Sequence, residues 1–178
     1  MKKILCSTGA IIGKSTKDNF ALLKRLSKEL TCDGFEFLIE FHMYQAGYED
    51  VEEQKCLLKE CNLCIPVVHC DKTVGEYISV GGEEKMAEAY RLFEINCDFA
   101  KEIGAEKLVL HLWGGMASDG RIQNNIAAYP RLREMADKYG LDLLVENVVC
   151  NTESPMKHLR ELREAYPDIH FLFDTKMA

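Results

Sequence analysis

The sequence lacks any apolar run near the roughly 20 residues that a helix needs to cross a bilayer, which argues against a membrane-spanning protein. It also lacks a basic surplus. The formal net charge is −7, so the composition does not favour nucleic acid as a partner. No low-complexity linker interrupts the chain, and no G-x-G-x-x-G follows the first predicted strand, so a dinucleotide-binding fold has no support. We therefore expect a single domain over residues 1–178.

The cysteines are numerous but scattered, with eight in the chain. Cys56, Cys61 and Cys64 have a spacing typical of a plant-type ferredoxin cluster, but Leu, Lys, Glu and Asn separate them instead of Gly, Ser or Pro. We interpret the cysteines as small apolar side chains of a reduced protein. Ser7 and Thr8 break the short apolar run at the N-terminus, which predicts a first strand and not a signal peptide. The expected location is cytoplasmic.

Apolar, β-branched segments alternate with helical segments along the whole chain. The apolar segments predict strands at 2–8, 34–40, 65–69, 107–112, 141–147 and 169–174. Helical periodicity predicts helices at 16–30, 49–61 and 83–103, a fourth that ends near Tyr139–Gly140, and a fifth from Ser154–Pro155 to about Tyr166. Residues 70–82, which contain three glycines, are predicted as a long loop. The repeating βα unit predicts a parallel sheet, either open and doubly wound or most of a (β/α)₈ barrel.

Four of the predicted strands end in a side chain that can bind a metal ion. IPVVHC ends near His69, KLVLHLWGG contains His111, DLLVEN contains Glu146 and HFLFDT contains Asp174. The carboxyl ends of parallel strands meet at one mouth of the fold, where such folds carry their chemistry. Two histidines, a glutamate and an aspartate suit Zn, Mn or a similar divalent ion.

Several segments, in order, match one family. CDGFEF with Glu36 matches its second strand, IPVVH the third, FAKEIGAEKLVLH the unit that leads into the fourth, KYGLDLLVEN the fifth and FLFDTKMA the sixth. The chain resembles the xylose isomerase-like TIM-barrel superfamily, which includes sugar phosphate isomerases and epimerases, inosose dehydratases and family 2 abasic-site endonucleases. The resemblance implies an α/β fold, a (β/α)₈ TIM barrel that is incomplete here, with about six strands and five helices.

The resemblance also implies roles for particular residues. Glu146 would hold the metal and exchange protons with substrate, and Asp174 would be a second ligand. His69 and His111 match zinc ligands in the nuclease branch and line the substrate pocket in the isomerase branch. The remaining candidates are assigned to substrate binding: Glu36, for which Glu40 is a competing choice, Trp113, Asn147 and Lys176. Trp113 has two readings, stacking on a sugar face or plugging the barrel rim.

The chain departs from the family pattern at two places. Met177 stands where the family usually has a histidine, and a thioether is a poor ligand in an oxygen and nitrogen site. The sequence also stops at Ala178, directly after the sixth predicted strand, whereas the family barrel has eight. We expect that a missing C-terminal segment or a partner chain, as in a homo-oligomer, closes the barrel.

Three functions remain open at this point. The first is an enzyme, an isomerase or epimerase that acts on a small sugar or sugar-like hydroxyketone by proton transfer through an enediolate, with Mn, Mg, Co or Zn as cofactor. The second is a zinc-dependent abasic-site endonuclease-like phosphodiesterase, which the acidic net charge disfavours. The third is a non-catalytic fragment or pseudo-enzyme, since the chain is short for activity on its own.

Overall fold

The computed structural model describes residues 3–10, 16–39 and 48–177. Within these residues six parallel strands lie side by side in chain order. They are β1 (Leu5–Ser7), β2 (Gly34–Leu38), β3 (Val67–His69), β4 (Lys107–Leu110), β5 (Asp142–Glu146) and β6 (His170–Leu172). All six predicted strands are therefore present, each somewhat shorter than predicted. Sequential parallel strands joined by helices are the arrangement found in a (β/α)₈ barrel.

Helices connect the successive strands. They are α1 (Thr16–Glu29), α2 (Tyr48–Cys61), α3 (Thr73–Val80), α4 (Glu83–Glu102), α5 (Ile122–Lys138) and α6 (Pro155–Ala165), with a short 3₁₀ helix at Thr8–Ala10. The five predicted helices are confirmed. None of the helices in the described part of the chain is both long and apolar enough to cross a membrane.

The predicted loop at 70–82 is wrong over most of its length, because it contains α3. The glycine at its centre explains the error. A Cβ on Gly75 would lie 1.9 Å from the carbonyl oxygen of His111, so only glycine lets this helix pass so close to the end of β4. Val74 and Ile78 are fully buried on the same helix. α3 is therefore a packed element that presses on the backbone of a candidate site residue.

Helix α4 supplies much of the core over the sheet. Its buried face repeats at helical spacing and consists of Ala89, Leu92, Phe93, Asn96, Cys97, Phe99 and Ala100. Phe99 stacks on Phe37 of β2 with ring centroids 5.3 Å apart. Burying such faces fixes the sheet, and so fixes where the strand ends lie.

Helix α6 begins as the sequence predicts. The side chain of Ser154 accepts a hydrogen bond from the backbone N–H of Lys157, and Pro155 occupies the first turn. The apolar residues Leu159 and Leu162 face the core. The N-terminus of this helix consequently lies directly after the loop that leaves β5.

Candidate metal centre

The ends of β3, β4 and β5 bring three metal-type side chains together. Oε2 of Glu146 lies 2.7 Å from Nε2 of His111 and 2.9 Å from Nε2 of His69. The two imidazole rings meet edge to face, with centroids 4.7 Å apart. All three residues are buried. Three of the four strand-end residues that the sequence singled out therefore form one cluster, here called the His–His–Glu cluster.

Hydrogen bonds set the orientation of the cluster. Nδ1 of His69 lies 2.8 Å from the carbonyl oxygen of Cys70, and since a carbonyl only accepts, Nδ1 carries the proton. That leaves Nε2 of His69 directed at Glu146. A histidine held by a backbone carbonyl on one nitrogen and free to bind through the other is a common arrangement at metal sites.

The protonation of the cluster follows from its burial and its contacts. Burial alone would raise the pKa of the Glu146 carboxyl, but hydrogen bonds from His111 and His69 outweigh it and lower the pKa to about 2. Burial lowers the pKa of His111, and the hydrogen bond to Glu146 offsets this only in part. Near neutral pH Glu146 is therefore a buried carboxylate, and one of its oxygens is in contact with both imidazole rings.

The three donor atoms fit a divalent ion. They all lie within 4.8 Å of one another. Metal–ligand bonds of about 2.1 Å place neighbouring donors of a tetrahedral ion about 3.4 Å apart, so only small side-chain movements would be needed. Two imidazoles and a carboxylate are a ligand set that Zn, Mn and Co accept. His69, His111 and Glu146 are thus the residues that could hold a metal.

Asp174 lies close to this cluster but outside it. Its carboxylate accepts a hydrogen bond from the backbone N–H of Lys176 at 2.7 Å. Its negative charge nevertheless reaches Glu36, whose pKa is raised by burial and further by Glu146 and Asp174. The charge of His69 and a hydrogen bond with Ser7 oppose that rise. Its role as a second metal ligand therefore remains a prediction. The side chain of Lys176 is exposed.

Asn147 and Trp113 contact the protein itself. The side chain of Asn147 is fully buried and bonds to the backbone of Asp174. The ring of Trp113 is fully buried too, and its N–H donates to the carbonyl of Val148 at 3.3 Å. Of the two readings of Trp113, the geometry favours packing beneath the rim, because its ring exposes no face to a sugar. Substrate binding by Asn147 or Trp113 therefore remains a prediction.

Among the described residues, a cleft of about 500 Å³ lies where the chain leaves β2 and β3. Leu38 and Ile39, at the end of β2, line one side of it. Lys72, Glu76 and Tyr77, from the start of α3, line the other. A cleft of this size holds a small molecule, and it mixes apolar walls with a few polar groups, as ligand sites do.

The sequence missed a second polar cluster, which lies in the loops after β4 and β5. Asp119, buried in the first loop, accepts hydrogen bonds from the backbone of residues 151–153 in the second. His158, on α6, is buried against Asp119. In the sequence, His158 is recognisable only as a histidine four residues after the helix cap Ser154, and many helices have a histidine at that position without any site.

No family model matches the chain, and no curated protein matches it. Solved structures do. A D-tagatose 3-epimerase-like protein superposes with a TM-score of 0.68 at 19% identity, over 99% of this chain and 66% of its own. A xylose isomerase domain protein from Planctomyces limnophilus gives a TM-score of 0.60 at 16% identity, over 99% and 66%. A Thermus thermophilus protein soaked with ZnCl₂ gives 0.73 at 21%, over 99% and 68%.

The chain shares the fold of these solved structures. The family resemblance predicted from the sequence is confirmed at the level of fold. The chain spans about two thirds of the length of these structures, 66% to 68%. In a TIM barrel the active site lies at the carboxyl ends of the strands, which is where the His–His–Glu cluster lies.

Proposed function

We propose that this chain carries the metal-binding part of a sugar isomerase or epimerase. The substrate class is a small sugar or sugar-like hydroxyketone, and the reaction is proton transfer through an enediolate. One observation carries the proposal: a single buried oxygen of Glu146 meets Nε2 of both His69 and His111 at the mouth of the barrel. The fold is shared with a D-tagatose 3-epimerase-like protein, which supports the sugar as substrate.

The cluster residues would hold the ion and position it next to the substrate. A divalent ion, when bound, polarises a carbonyl and lowers the cost of removing the neighbouring proton. Glu146 is suited to a ligand because its low pKa keeps it ionised across the neutral range. We also assign it the exchange of protons with substrate, since it is the carboxylate at the centre of the cluster. His69 is held in the orientation that binding requires by its bond to Cys70.

The neighbouring groups would bind the substrate. Glu36, which is half-buried beside the cluster, would bind a substrate hydroxyl through its carboxyl oxygens. Asp174 would complete the ion's ligands, and Asn147 would fix the strand end from which Asp174 projects. Lys176, which is exposed, would meet an anionic group of the substrate.

The two other functions are weaker. The phosphodiesterase alternative requires neutralisation of phosphates by basic side chains, whereas the chain has a net charge of −7 and two of the residues that line the cleft are Asp71 and Glu76. The non-catalytic alternative makes a distinct prediction, which is metal binding without turnover.

The proposal is tested by proton exchange. D-Tagatose is incubated in D₂O with the protein and Mn²⁺, and proton NMR follows the carbon-bound proton beside the carbonyl. We expect metal-dependent loss of that signal with the native chain and none with Glu146→Gln. Glu164→Gln, which changes an exposed carboxylate on α6, is the matched control and should behave as the native chain. Equal exchange in Glu146→Gln would remove Glu146 from the reaction, and no exchange by a chain that binds Mn²⁺ would favour the non-catalytic alternative.

A further inference from the structure

The second polar cluster is built around one carboxylate. Asp119 is 3% exposed, and its Oδ1 accepts from the backbone N–H of Asn151 at 2.6 Å and of Thr152 at 3.0 Å. Its Oδ2 accepts from the backbone N–H of Glu153 at 2.9 Å and from the hydroxyl of Thr152. The last partner of Oδ2 is Nε2 of His158, at 2.9 Å. These contacts fasten the loop after β4 to the loop after β5 and to helix α6.

His158 has the surroundings of a metal-binding histidine. It is 2% exposed, with Nε2 facing Asp119 and Nδ1 lying 2.8 Å from a carboxylate oxygen of Glu161. A carboxylate on the far nitrogen fixes the ring and makes the near nitrogen a better ligand, which is the usual outer shell of a zinc-bound histidine. Trp113 packs edge to face on the ring at 5.7 Å and shields that side from water.

Cys150 completes the group with a sulfur atom. Its Sγ, Nε2 of His158 and a carboxylate oxygen of Asp119 all lie within 4.8 Å of one another. Among the residues that the structure describes, this group and the His–His–Glu cluster are the two sets placed to hold a metal. Cys56, Cys61 and Cys64, whose spacing resembled a cluster motif, are not such a set.

We propose that Asp119, Cys150 and His158 form a second metal site, separate from the His–His–Glu cluster and specific for a thiophilic ion such as Zn²⁺. Sulfur, nitrogen and oxygen donors together are a zinc ligand set, with a fourth position left for water. The site ties together the two loops that border the mouth of the barrel, so its role is to stabilise them. It does not depend on the proposed sugar chemistry.

Metal binding at this site would release the thiol proton of Cys150. That thiol points at the carbonyl oxygen of Val148 in the metal-free chain, and it would bind as the thiolate because a thiol that coordinates a metal loses its proton. Nε2 of His158, which faces Asp119, would bind through its lone pair while Nδ1 stays against Glu161. The thiol proton leaves for solvent, and the ligands would be one thiolate, one carboxylate and one neutral imidazole.

Cobalt(II) spectroscopy tests the site, because a thiolate bound to Co²⁺ gives a charge-transfer band in the near ultraviolet and nitrogen and oxygen ligands do not. The native chain is titrated with Co²⁺ while the absorbance and the bound metal per chain are recorded. We expect the band in the native chain and in Glu146→Gln, which keeps only the second site. In Cys150→Ser we expect the band to disappear and the amount of bound metal to fall by about one ion per chain. Cys64→Ser, which removes an exposed cysteine, is the control that retains the band.

Because Cys150→Ser could lose the band by misfolding, a second measurement uses a chain in which the second site is unchanged. Zinc-loaded Glu146→Gln is studied by X-ray absorption, and the proposal predicts one sulfur neighbour per zinc at about 2.3 Å. The proposal is overturned if Co²⁺ binds to the native chain without a near-ultraviolet band, if Cys150→Ser retains the band, or if the bound zinc has no sulfur neighbour. Each of those results would mean that Asp119 and His158 form a hydrogen-bonded cluster that binds no metal.

Discussion

The side-chain amide of Asn147 bonds to both backbone groups of Asp174. Its Nδ2 donates to the carbonyl oxygen at 2.9 Å, and its Oδ1 accepts from the N–H at 2.6 Å. The paired bonds lock the exit of β6 to the exit of β5, one residue after Glu146. Two carboxylates on different strands are thereby held at a fixed spacing.

Removing this lock tests whether Asp174 serves the metal. Asn147→Ala should weaken Mn²⁺ binding by about tenfold if Asp174 is a ligand, because partners that orient ligands commonly contribute that much. Isothermal titration calorimetry measures the affinity, and Asn151→Ala, which changes an exposed side chain of the same loop, is the control. An unchanged affinity in Asn147→Ala would exclude Asp174 from the metal centre.

Gly75 is expected to be indispensable for the position of His111. A methyl group at Gly75 would lie 1.9 Å from the His111 carbonyl oxygen, so Gly75→Ala must push α3 away from β4 or distort the strand end. We expect a loss of about 2–3 kcal/mol in the free energy of unfolding and weaker metal binding. Gly114→Ala is the matched control, because its Cβ would meet the nearest atom at an ordinary 3.4 Å. Urea unfolding of both variants checks this, and equal stability would contradict it.

Trp113 is expected to contribute packing and not ligand binding. Trp113→Phe shortens a fully buried ring and removes the hydrogen bond to Val148, which should lower the free energy of unfolding by about 1–3 kcal/mol. Mn²⁺ affinity and D-tagatose proton exchange should stay near native values when measured well below the unfolding temperature. A variant of native stability with impaired exchange would restore the sugar-stacking reading.

Asp119 should stabilise the metal-free chain in a pH-dependent way. Burial alone would raise its pKa, but hydrogen bonds from Thr152, His158 and the backbone of Asn151 outweigh it and hold the pKa well below the usual range. A carboxyl with a lowered folded-state pKa contributes stability that is complete above the unfolded value, about 3.9, and is lost as the pH falls through the folded value.

Asp119→Asn in the presence of a chelator tests that contribution. We expect a loss of about 2–4 kcal/mol at neutral pH, because an amide cannot accept all of these hydrogen bonds. The difference from the native chain should shrink as the solution is acidified, as measured by thermal unfolding across the acid range. A difference that stays constant down to the lowest pH at which the chain folds would show that the Asp119 charge plays no part.

The sequence was sufficient for the strands and for the three residues of the cluster. Buried parallel strands read as continuous apolar runs, and the first polar residue after each run must lie at the same mouth, so His69, His111 and Glu146 could be grouped without a structure. Sequence periodicity says which end of a strand a side chain occupies, but not where that side chain points. That is why Asn147 was assigned to substrate, and Trp113 was left open between stacking on a sugar and plugging the rim, although both side chains are fully buried.

The parts that could not be predicted depend on contacts between distant segments. By local propensity Gly75 predicts a loop. The glycine lies inside a helix because the backbone at the end of β4, 36 residues further along the chain, leaves no room for a side chain. Asp119 and His158 are separated by 39 positions, and no short motif links them. Their partnership is a property of how two loops fold against one helix.

Metal binding by the His–His–Glu cluster is tested most directly by measuring Mn²⁺ binding to the native chain and to Glu146→Gln. Mn²⁺ is the suitable probe because it prefers oxygen and nitrogen ligands and avoids the sulfur of the second site. Electron paramagnetic resonance counts the free ion during titration, and circular dichroism confirms that both chains are folded. We expect about one Mn²⁺ per native chain and an affinity at least tenfold lower in Glu146→Gln. Equal binding by the two folded chains would contradict it.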